Sequence, residues 1–468
     1  MRIEKDGLGQ MQVPDEAYYG IMTMRSTRAY DIGLRTLDDY PESIKAVALC
    51  KIACARANSE VKALKPEYAD AIEKAAREII AGKFKGQFTV NIFRGPGTPL
   101  NMGVNEVIAH RANEILTGNK VGPITTNTHV NMSQSTGDVA PTAKGILVYE
   151  YLSQVSEILE RLATMLEAKA REYADAVKMG RTLAQDALPV TFGMTFSSYA
   201  HAVNRCVSKI REERSSWNIS CLGGTAIGTG MGAQPGYREI ITGHLSEVLG
   251  RKMKLAENLP ETMGATDDLL RAYSQIECAA LVLWRMGRDL MFMSSGPRCG
   301  LGEIDLEDAY ESEENRRSIP DCLIGACEKV IANQAGLVQG LQSGWLEMGA
   351  TSGVPFKLFI ESSEILMHAV ALFEKNALAK MYIHRDRCRS MTEESTSLAT
   401  MVSTLLGYEV GTKVAHYAID HDVTCKEAAK ALKVLPDAVL DELFNPLNMT
   451  DGDKLEALFE KYKEYRRL

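Results

Sequence analysis

The 468-residue sequence contains no apolar run of about 18 residues, the length that a membrane-spanning helix needs. Its first residues, MRIEKDGLGQM, are charged, so a signal peptide is not expected either. Basic residues are not in excess, because the formal net charge is −8. Nucleic acids and anionic membranes require a basic face. We therefore expect neither as a partner, and a small-molecule substrate is favoured.

The cysteines and histidines lack the spacings that bind metals. The ten cysteines are scattered from Cys50 to Cys425 without a CxxC pair, and HExxH does not occur. We expect no metal site, no disulfide framework and a reducing, cytoplasmic setting. With 45% hydrophobic and 24% charged residues, the composition is that of a globular protein long enough for two or three domains.

Helical periodicity dominates the sequence, and few segments alternate as strands do. The longest periodic segment, from about Pro141 to Val177, repeats apolar residues at three- and four-residue steps: Leu152, Val155, Leu159, Leu162 and Leu166. This spacing is typical of a helix packed lengthwise against others. Further long helices are predicted over Ser197–Trp217, Leu269–Met293, Asp321–Leu341 and Lys357–Ala377. The fold class is therefore mostly α, with a long central helix bundle that we expect subunits to share.

Helix length divides the chain into three predicted domains. Residues 1–140 form an N-terminal helical domain, with helices over Ser43–Lys62 and Pro66–Ile80. Residues 141–385 form the central long-helix domain, and residues 386–468 form a small C-terminal helical domain of shorter helices.

Polar, glycine-rich segments interrupt the helices at five places: residues 94–106, 129–138, 178–189, 221–232 and 294–320. The first two precede helices, so Thr98, Asn101 and their neighbours are expected where a helix begins. Helix N-termini present free amides and suit a carboxylate. The third is predicted as a loop between two helices. The last, rich in glutamate with Arg316 and Arg317 adjacent, is either a catalytic loop or a solvated surface loop.

Seven ordered motifs of this sequence resemble those of the aspartase/fumarase superfamily. They are VPDEAYYG (13–20), GPGTPLNM (95–102), HVNMSQST (129–136), MGRTLAQDA (179–187), GGTAIGTG (223–230), SSGPRCGLGEI (294–304) and LLGYEVGTKVA (405–415). The resemblance covers nearly the whole chain. It implies an elimination reaction that releases ammonia, water or a larger amine. It also implies a homotetramer with a twenty-helix core, active sites built from three chains, and no cofactor.

The resemblance also implies which residues contact the substrate. In the family, hydroxyl groups and helix-terminal amides hold the substrate carboxylate. The positions of this sequence that match those motifs are Thr98, Asn101, His129, Ser135, Thr136 and Thr182. The alternative is that the hydroxyl residues among them only cap helices.

One family motif is missing. Members of the family follow SSGPR with a loop of the type GSSxMPxKxNP, which supplies a serine base and carboxylate-binding lysine and asparagine; a deletion removes it here. Glu313 and Glu314 are candidates for the base, because an enclosed carboxylate can have its pKa raised. Arg316 or Arg317 can bind a carboxylate with two hydrogen bonds. The alternative is that all four are solvated charges.

Two substitutions concern the leaving group. Leu183 stands where the family has a polar residue, and Gly137 where it has asparagine. Both favour a larger leaving group that needs fewer hydrogen bonds, such as a quaternary amine. Trp345 is either an aromatic wall for that amine or a residue of the bundle core. These departures are similar to the ergothionase branch of the family, which would eliminate trimethylamine from ergothioneine to give thiolurocanate.

Two other functions remain open at this stage. The first is an amine-lyase acting on aspartate or an N-substituted dicarboxylate, for which the carboxylate-binding loop would be expected. The second is a non-catalytic scaffold descended from a lyase. Retention of the Thr98, Ser135, Thr136 and Thr182 set favours catalysis over the scaffold.

Overall fold

The computed structural model describes residues 1–33, 35–94, 97–296, 298–306, 318–349 and 352–466, and within them the chain is mostly helical, as predicted. The helices are α1 (Ile21–Ala29), α2 (Pro41–Glu60), α3 (Pro66–Ile80), α4 (Thr98–Thr117), α5 (Thr136–Glu172), α6 (Phe192–Ser216), α7 (Tyr237–Leu249), α8 (Leu259–Gly264), α9 (Asp268–Met293), α10 (Ser318–Leu341), α11 (Val354–Asn376), α12 (Arg385–Glu394), α13 (Ala399–Leu406), α14 (Tyr408–His421), α15 (Cys425–Ala431), α16 (Asp437–Leu443) and α17 (Gly452–Lys461). The strands are β1 (Arg2–Asp6), β2 (Gly9–Val13), β3 (Val177–Thr182), β4 (Gln185–Thr191), β5 (Ile219–Ser220), β6 (Lys254–Leu255), β7 (Ile304–Asp305) and β8 (Tyr382–Ile383), which pair two by two.

The long helices confirm the periodicity prediction. The leucines and valine that define the periodic face of α5 are all buried, and so are Leu269, Ile276, Leu283 and Leu290 of α9. α5 spans 37 residues and begins at Thr136, five residues before the predicted start at Pro141. The earlier start has a local cause: Ser135 Oγ accepts a hydrogen bond from Gly137 N, and Asp138 Oδ1 accepts one from Ser135 N. This reciprocal capping begins the helix ahead of the proline.

The chain forms two compact units. The first comprises residues 1–156, 208–278 and 329–365; the second comprises residues 157–207, 279–328 and 366–468. The three-domain division made from helix length stays a prediction.

The first unit is built around α2, which packs against α3 and α7. Its alanine-rich sequence keeps the helix narrow, so that most of its surface is buried, including Ala46, Ala53 and Ala57. One charged residue, Lys51, is fully buried within this helix. A buried lysine requires hydrogen-bond acceptors, and those that Lys51 finds lie beneath the candidate site described below.

Two regions that were not predicted as strands form hairpins. The segment 178–189, predicted as a loop between helices, forms the antiparallel hairpin of β3 and β4 in the second unit, with Thr182 paired to Gln185 at its tip. The N-terminal region, predicted as helices and turns, begins with the antiparallel hairpin of β1 and β2. Short strands of mixed polarity do not give the regular alternation from which strands are predicted.

The C-terminal part of the second unit has its own hydrophobic core. Buried residues of α13, α14, α15 and α16 form one cluster, which includes Val402, Val414, Ala428 and Leu440. Met179 of β3 belongs to the same cluster, so the β3–β4 hairpin is anchored to these short helices.

In the described ranges, no helix is both long and apolar enough to cross a membrane. All ten cysteines are described, and none of them forms a disulfide bond.

Candidate active site

An open cleft in the first unit contains two of the four predicted hydroxyl groups, those of Thr98 and Thr136. It has about 190 Å³ of free volume, and its lining includes Thr98, Thr136, Lys144, Asp268 and Glu347. The threonines are the first residues of α4 and α5. Two helix N-termini therefore open on one cleft, where their partial positive charges favour an anion.

The start of α4 lacks a side-chain cap. Its N-cap residue is Gly97, which has no side chain to accept hydrogen bonds from the amides of the first turn. Pro99 follows at the second helical position, where the missing N–H costs nothing. Thr98 is exposed, so its hydroxyl and the amide end of the helix are accessible from the cleft.

Asn101 connects the two helix starts. Its side chain is buried, and Nδ2 donates to Thr136 Oγ1 at 3.2 Å and to Asn131 Oδ1 at 3.3 Å. Ser135 is the N-cap of α5 and is half-buried. The structure thus brings Thr98, Asn101, Ser135 and Thr136 together, with Ser135 engaged in capping and Thr136 facing the cleft.

Charged groups of both signs line the cleft. Lys144 Nζ lies 2.5 Å from Asp268 Oδ2, and both side chains are largely shielded from solvent. Arg94 adds a second cation, and Glu347 adds an exposed carboxylate. The cleft can therefore receive a substrate that carries a carboxylate and a cationic amine.

Asp138 holds the start of α5 against the glycine-rich segment 221–232. Its side chain is fully buried, and Oδ2 accepts hydrogen bonds from Gly223 N at 3.1 Å and Thr225 N at 2.9 Å. Burial raises the pKa of this carboxyl group to about 7, against the opposing effect of the amide hydrogen bonds. The carboxyl group therefore fixes the backbone that forms this wall of the cleft.

Gly137 does not enlarge the cleft, contrary to the prediction. A Cβ atom at this position would lie 2.1 Å from the carbonyl oxygen of Ala226, so the space for a side chain is already filled by backbone. Glycine is required here by the close approach of the segment that Asp138 holds.

His129 is not among the residues that line the cleft. It lies in a π-helical turn, Thr126–Val130, where Nδ1 accepts a hydrogen bond from Thr125 N and the ring packs edge-on against Tyr68. Burial, with a smaller effect from Lys65, lowers its pKa. Its predicted contact with substrate stays a prediction.

Thr182 and Leu183 belong to the second unit, at the tip of the β3–β4 hairpin. Leu183 is 98% exposed in the single chain. Leu183 and Ala184 have φ angles of 52° and 61°, in the left-handed region that favours glycine or asparagine. An apolar residue held fully exposed in a strained turn is typical of a contact made with another molecule.

The last predicted residues to place are those of the charged segment 294–320 and Trp345. Glu313, Glu314, Arg316 and Arg317 lie outside the described residues. Glu303, at the start of the charged segment, is fully buried and pairs with Arg181 at 2.8 Å, so it is not a solvated charge. Trp345 is 78% exposed in the single chain, so the core of one chain does not bury it, and its contact with an amine stays a prediction.

Six charged residues at or beneath the cleft were not predicted as site residues: Lys51, Arg94, Asp138, Lys144, Asp268 and Glu347. Lys51 could have been noticed as a lone charge within the apolar run AVALCKIACA (46–55). The ion pair of Lys144 and Asp268 joins residues 124 positions apart, which periodicity does not detect.

In the part of the chain that the structure describes, no group of three or more His, Cys, Asp or Glu side chains is placed to hold a metal ion.

Comparison with known proteins agrees with this geometry. A family model described as "Lyase" matches residues 9–312, and one described as "Fumarase C C-terminus" matches residues 398–451. Aspartate ammonia-lyase from a Bacillus species is 34% identical over 96% of this chain and 97% of its own length. Human mitochondrial fumarate hydratase is 33% identical over 96% of this chain and 89% of its own length.

Solved structures give the same result. A crystal structure of fumarate lyase:delta crystallin from Brucella melitensis bound to cobalt aligns with a TM-score of 0.92 and 34% identity, covering 96% of this chain and 99% of the other. A class II fumarase from Schistosoma mansoni aligns with a TM-score of 0.89 and 27% identity, covering 96% and 98%. Both the aspartate ammonia-lyase and the fumarate hydratase match nearly the full chain at more than 30% identity, and the chain belongs to the aspartase/fumarase superfamily of lyases.

Proposed function

We propose that this protein is a carbon–nitrogen lyase that eliminates an amine from an amino-acid-derived carboxylate. The observation that carries the proposal is the pair of helix N-termini, with Thr98 and Thr136 as first residues, that open on one cleft. Hydroxyl and amide donors aimed at a carboxylate stabilise the negative charge that builds up when the neighbouring carbon loses its proton. Lys144 and Arg94 add positive charge at the same cleft.

The amine end is assigned to the carboxylates of the cleft and to the hairpin tip. Glu347 supplies a negative charge that attracts a cationic amine. Leu183, which has no hydrogen-bonding group, is suited to contact an alkylated amine if the tip reaches the active site of another subunit, as the family resemblance implies. A quaternary amine leaves as a neutral molecule and needs no proton from the enzyme.

Ergothioneine is the first substrate to test. In an aspartate-type substrate, the second carboxylate takes up the negative charge that forms during the reaction. In ergothioneine the thio-imidazole ring can take up this charge, so a loop that binds a second carboxylate is not needed. The purified protein is incubated with ergothioneine, and absorbance is followed for a conjugated thiolurocanate while trimethylamine is measured separately. Formation of both products in equal amounts would support the assignment. Absence of both products would contradict it.

A second candidate is the deamination of aspartate or of an N-substituted dicarboxylate. It is favoured by the 34% identity to aspartate ammonia-lyases over nearly the whole chain. Ammonia release from aspartate, and addition of ammonia or water to fumarate, belong in the same assay panel, since fumarate hydratases are also among the relatives. A folded protein inactive on the whole panel would favour the non-catalytic scaffold.

The base is assigned to one of three carboxylates. Glu313 and Glu314 are proposed from the sequence, and Glu347 from its position in the cleft. Replacement of the true base by glutamine, in Glu313→Gln, Glu314→Gln or Glu347→Gln, is expected to lower kcat by at least about a hundredfold. The other two variants serve as matched controls, because each removes one negative charge without changing side-chain size. Comparable kcat values for all three variants would contradict a carboxylate base.

A further inference from the structure

The hydroxyl group of Thr136 is joined to the interior of the first unit by a chain of side-chain hydrogen bonds. Asn101 Nδ2 donates to Thr136 Oγ1 and also to Asn131 Oδ1. Lys51 Nζ donates to the same Asn131 Oδ1 at 3.0 Å and to Gln134 Oε1 at 2.7 Å. We call the four side chains Lys51, Asn131, Asn101 and Thr136 the Lys51 relay.

The lysine sets the direction of the hydrogen bonds in the relay. An ammonium group has three N–H donors and no acceptor, so Asn131 must turn its oxygen, and not its amino group, toward Lys51. Asn105 Nδ2 donates to the same oxygen at 3.1 Å, and Asn131 Nδ2 donates away from it, to the carbonyl oxygen of Gln134 at 3.3 Å. Both contacts agree with this orientation of Asn131.

The fixed oxygen of Asn131 then determines the orientation of Asn101. Only the amino group of Asn101 can face that oxygen without repulsion, and the same amino group faces Thr136 Oγ1. Thr136 therefore accepts from Asn101. Since a hydroxyl group has one proton, that proton is left for an acceptor elsewhere, and Thr136 lines the cleft.

Among the described residues, the hydrogen-bond directions in the relay leave two buried oxygens without a partner, which lowers the stability of the folded chain. In the described part of the chain, the buried oxygens Oδ1 of Asn101 and Asn105 have no hydrogen-bond partner. Unsatisfied buried acceptors reduce stability. Both are left unpaired because the two amides turn their amino groups to the single oxygen that Lys51 orients.

We infer that Lys51 is a positioning residue which, through Asn131 and Asn101, fixes the hydroxyl of Thr136 as a hydrogen-bond donor to a carboxylate in the cleft. The identity of that carboxylate as substrate rests on the proposed function, whereas the direction of the bonds does not. Lys51 is fully buried and acts without touching the substrate.

Neutron diffraction from a deuterium-exchanged crystal of the full chain tests the direction of the bonds without any ligand. We expect Asn101 Nδ2, carrying two deuterium atoms, to face Thr136, and the deuterium of Thr136 Oγ1 to point into the cleft. A map in which Asn101 Oδ1 faces Thr136, with the deuterium of Thr136 between the two oxygens, would overturn the inference.

A double-mutant cycle tests the effect on binding, with succinate as the carboxylate probe in calorimetry of the full-length protein. Lys51→Met is expected to raise the Kd about tenfold, a typical loss for one charge-assisted hydrogen bond. In a Thr136→Val background, Lys51→Met is expected to change the Kd by less than about twofold, because the hydroxyl group it positions is absent. An equal loss in both backgrounds would show a general structural effect and overturn the inference.

Asn58→Ala is the matched control for this cycle. Asn58 is buried on the same helix and holds the same segment, donating to the carbonyl oxygen of Met132 and accepting from Ser133 Oγ, but it makes no bond to the relay. It should lower the melting temperature and leave the Kd of succinate unchanged. If Asn58→Ala weakens the binding of succinate as much as Lys51→Met does, positioning of Thr136 by Lys51 is excluded. Failure of the wild-type protein to bind succinate contradicts the proposed function, and the neutron map then decides on the relay alone.

Discussion

The carbonyl oxygen of Ala226 would lie 2.1 Å from a Cβ atom at Gly137, well inside van der Waals contact. We expect Gly137→Ala to lower the free energy of unfolding by about 3 kcal/mol, because the start of α5 and the Thr225–Ala226 backbone would have to separate. Both are held by the same carboxylate of Asp138, so neither can move alone. Urea denaturation of the two proteins measures the difference.

Gly243→Ala is the control for this variant. Gly243 lies within α7, and nothing lies within 4 Å of a Cβ atom built there. Alanine should stabilise the helix by about 0.5–1 kcal/mol. A loss of stability at Gly137 no larger than about 0.5 kcal/mol would mean that the two segments move apart easily and that the cleft wall is not fixed.

Burial lowers the pKa of Lys51 to about 8, from 10.5 in an exposed lysine. Between these values the unfolded chain binds more protons than the folded chain, so this residue makes stability increase as pH rises from about 8 toward 10.5. Below pH 8 both states carry the charge, and its burial is a constant cost. We therefore expect the free energy of unfolding of wild type, relative to Lys51→Met, to increase by about 2 kcal/mol between pH 7.5 and 9.5.

Urea denaturation at the two pH values, with Asn58→Ala in parallel, measures this effect. Other groups that titrate in the range are common to all three proteins, so their contributions largely cancel in the differences. If the difference in free energy of unfolding between wild type and Lys51→Met stays constant with pH, Lys51 keeps an ordinary pKa. Its acceptors would then stabilise the charged form enough to offset its burial.

The sequence predicted the residues that face the cleft better than those that support it. Thr98 and Thr136 were found because they stand in motifs that resemble those of the superfamily, and polar residues before an apolar periodic segment also indicate a helix start. The support comes from contacts between residues far apart in the chain, such as Lys51 with Gln134 and Asp138 with Thr225. No local pattern predicts such contacts, and Gly137 was misinterpreted for the same reason, since its neighbour Ala226 is distant in sequence.

At the scale of elements, the tip of the β3–β4 hairpin combines strain with exposure. Two consecutive residues with positive φ form a turn that prefers Asn-Gly, and here they are Leu183 and Ala184. We expect Ala184→Gly to stabilise the protein by about 0.5–1 kcal/mol, because glycine adopts this conformation without strain. Thermal denaturation measures the gain.

Leu183→Asn separates the two properties of the tip. Asparagine also tolerates a positive φ, so stability should rise, but it replaces the apolar contact with a polar one. If the tip contacts an alkylated amine, KM for that substrate rises while the melting temperature does not fall. An unchanged KM for every substrate of the panel would exclude Leu183 from the site.

The sequence of this hairpin also explains why segment 178–189 was predicted as a loop and not as two strands. Hairpins are recognised from Asn-Gly or Asp-Gly between alternating strands, and Leu-Ala gives no such signal. The long helices were predicted to within about five residues at each end, and α3 to the residue, because proline at its start and apolar residues on one face are local features. Elements with strong local signals were therefore found, and the strained element was not.

At the scale of the whole molecule, large apolar side chains are exposed on the long helices of the single chain. Met194 of α6, and Leu281 and Phe292 of α9, are each about half exposed. Exposed apolar groups on helices of this length favour burial against further copies of the chain. This agrees with the homotetramer and shared active sites that the family resemblance implies, and both stay predictions.

Subunit mixing tests whether sites are shared. Thr136→Val removes a hydroxyl group from the cleft of the first unit, and Leu183→Asp places a charge at the hairpin tip of the second. If one chain supplies the cleft and another supplies the tip, unfolding and refolding an equal mixture of the two inactive variants should restore about a quarter of the wild-type amine release, because about one site in four then receives both intact parts.

A mixture of Thr136→Val with Thr98→Val controls for recovery that has another cause. Both threonines line the same cleft within one unit of one chain, so no combination of these variants rebuilds an intact cleft. The control mixture should stay inactive under the conditions that restore the first. Equal recovery of amine release in both mixtures would mean that refolding restores activity without sharing of sites. No recovery in either mixture would place Thr136 and Leu183 of the same chain in one site.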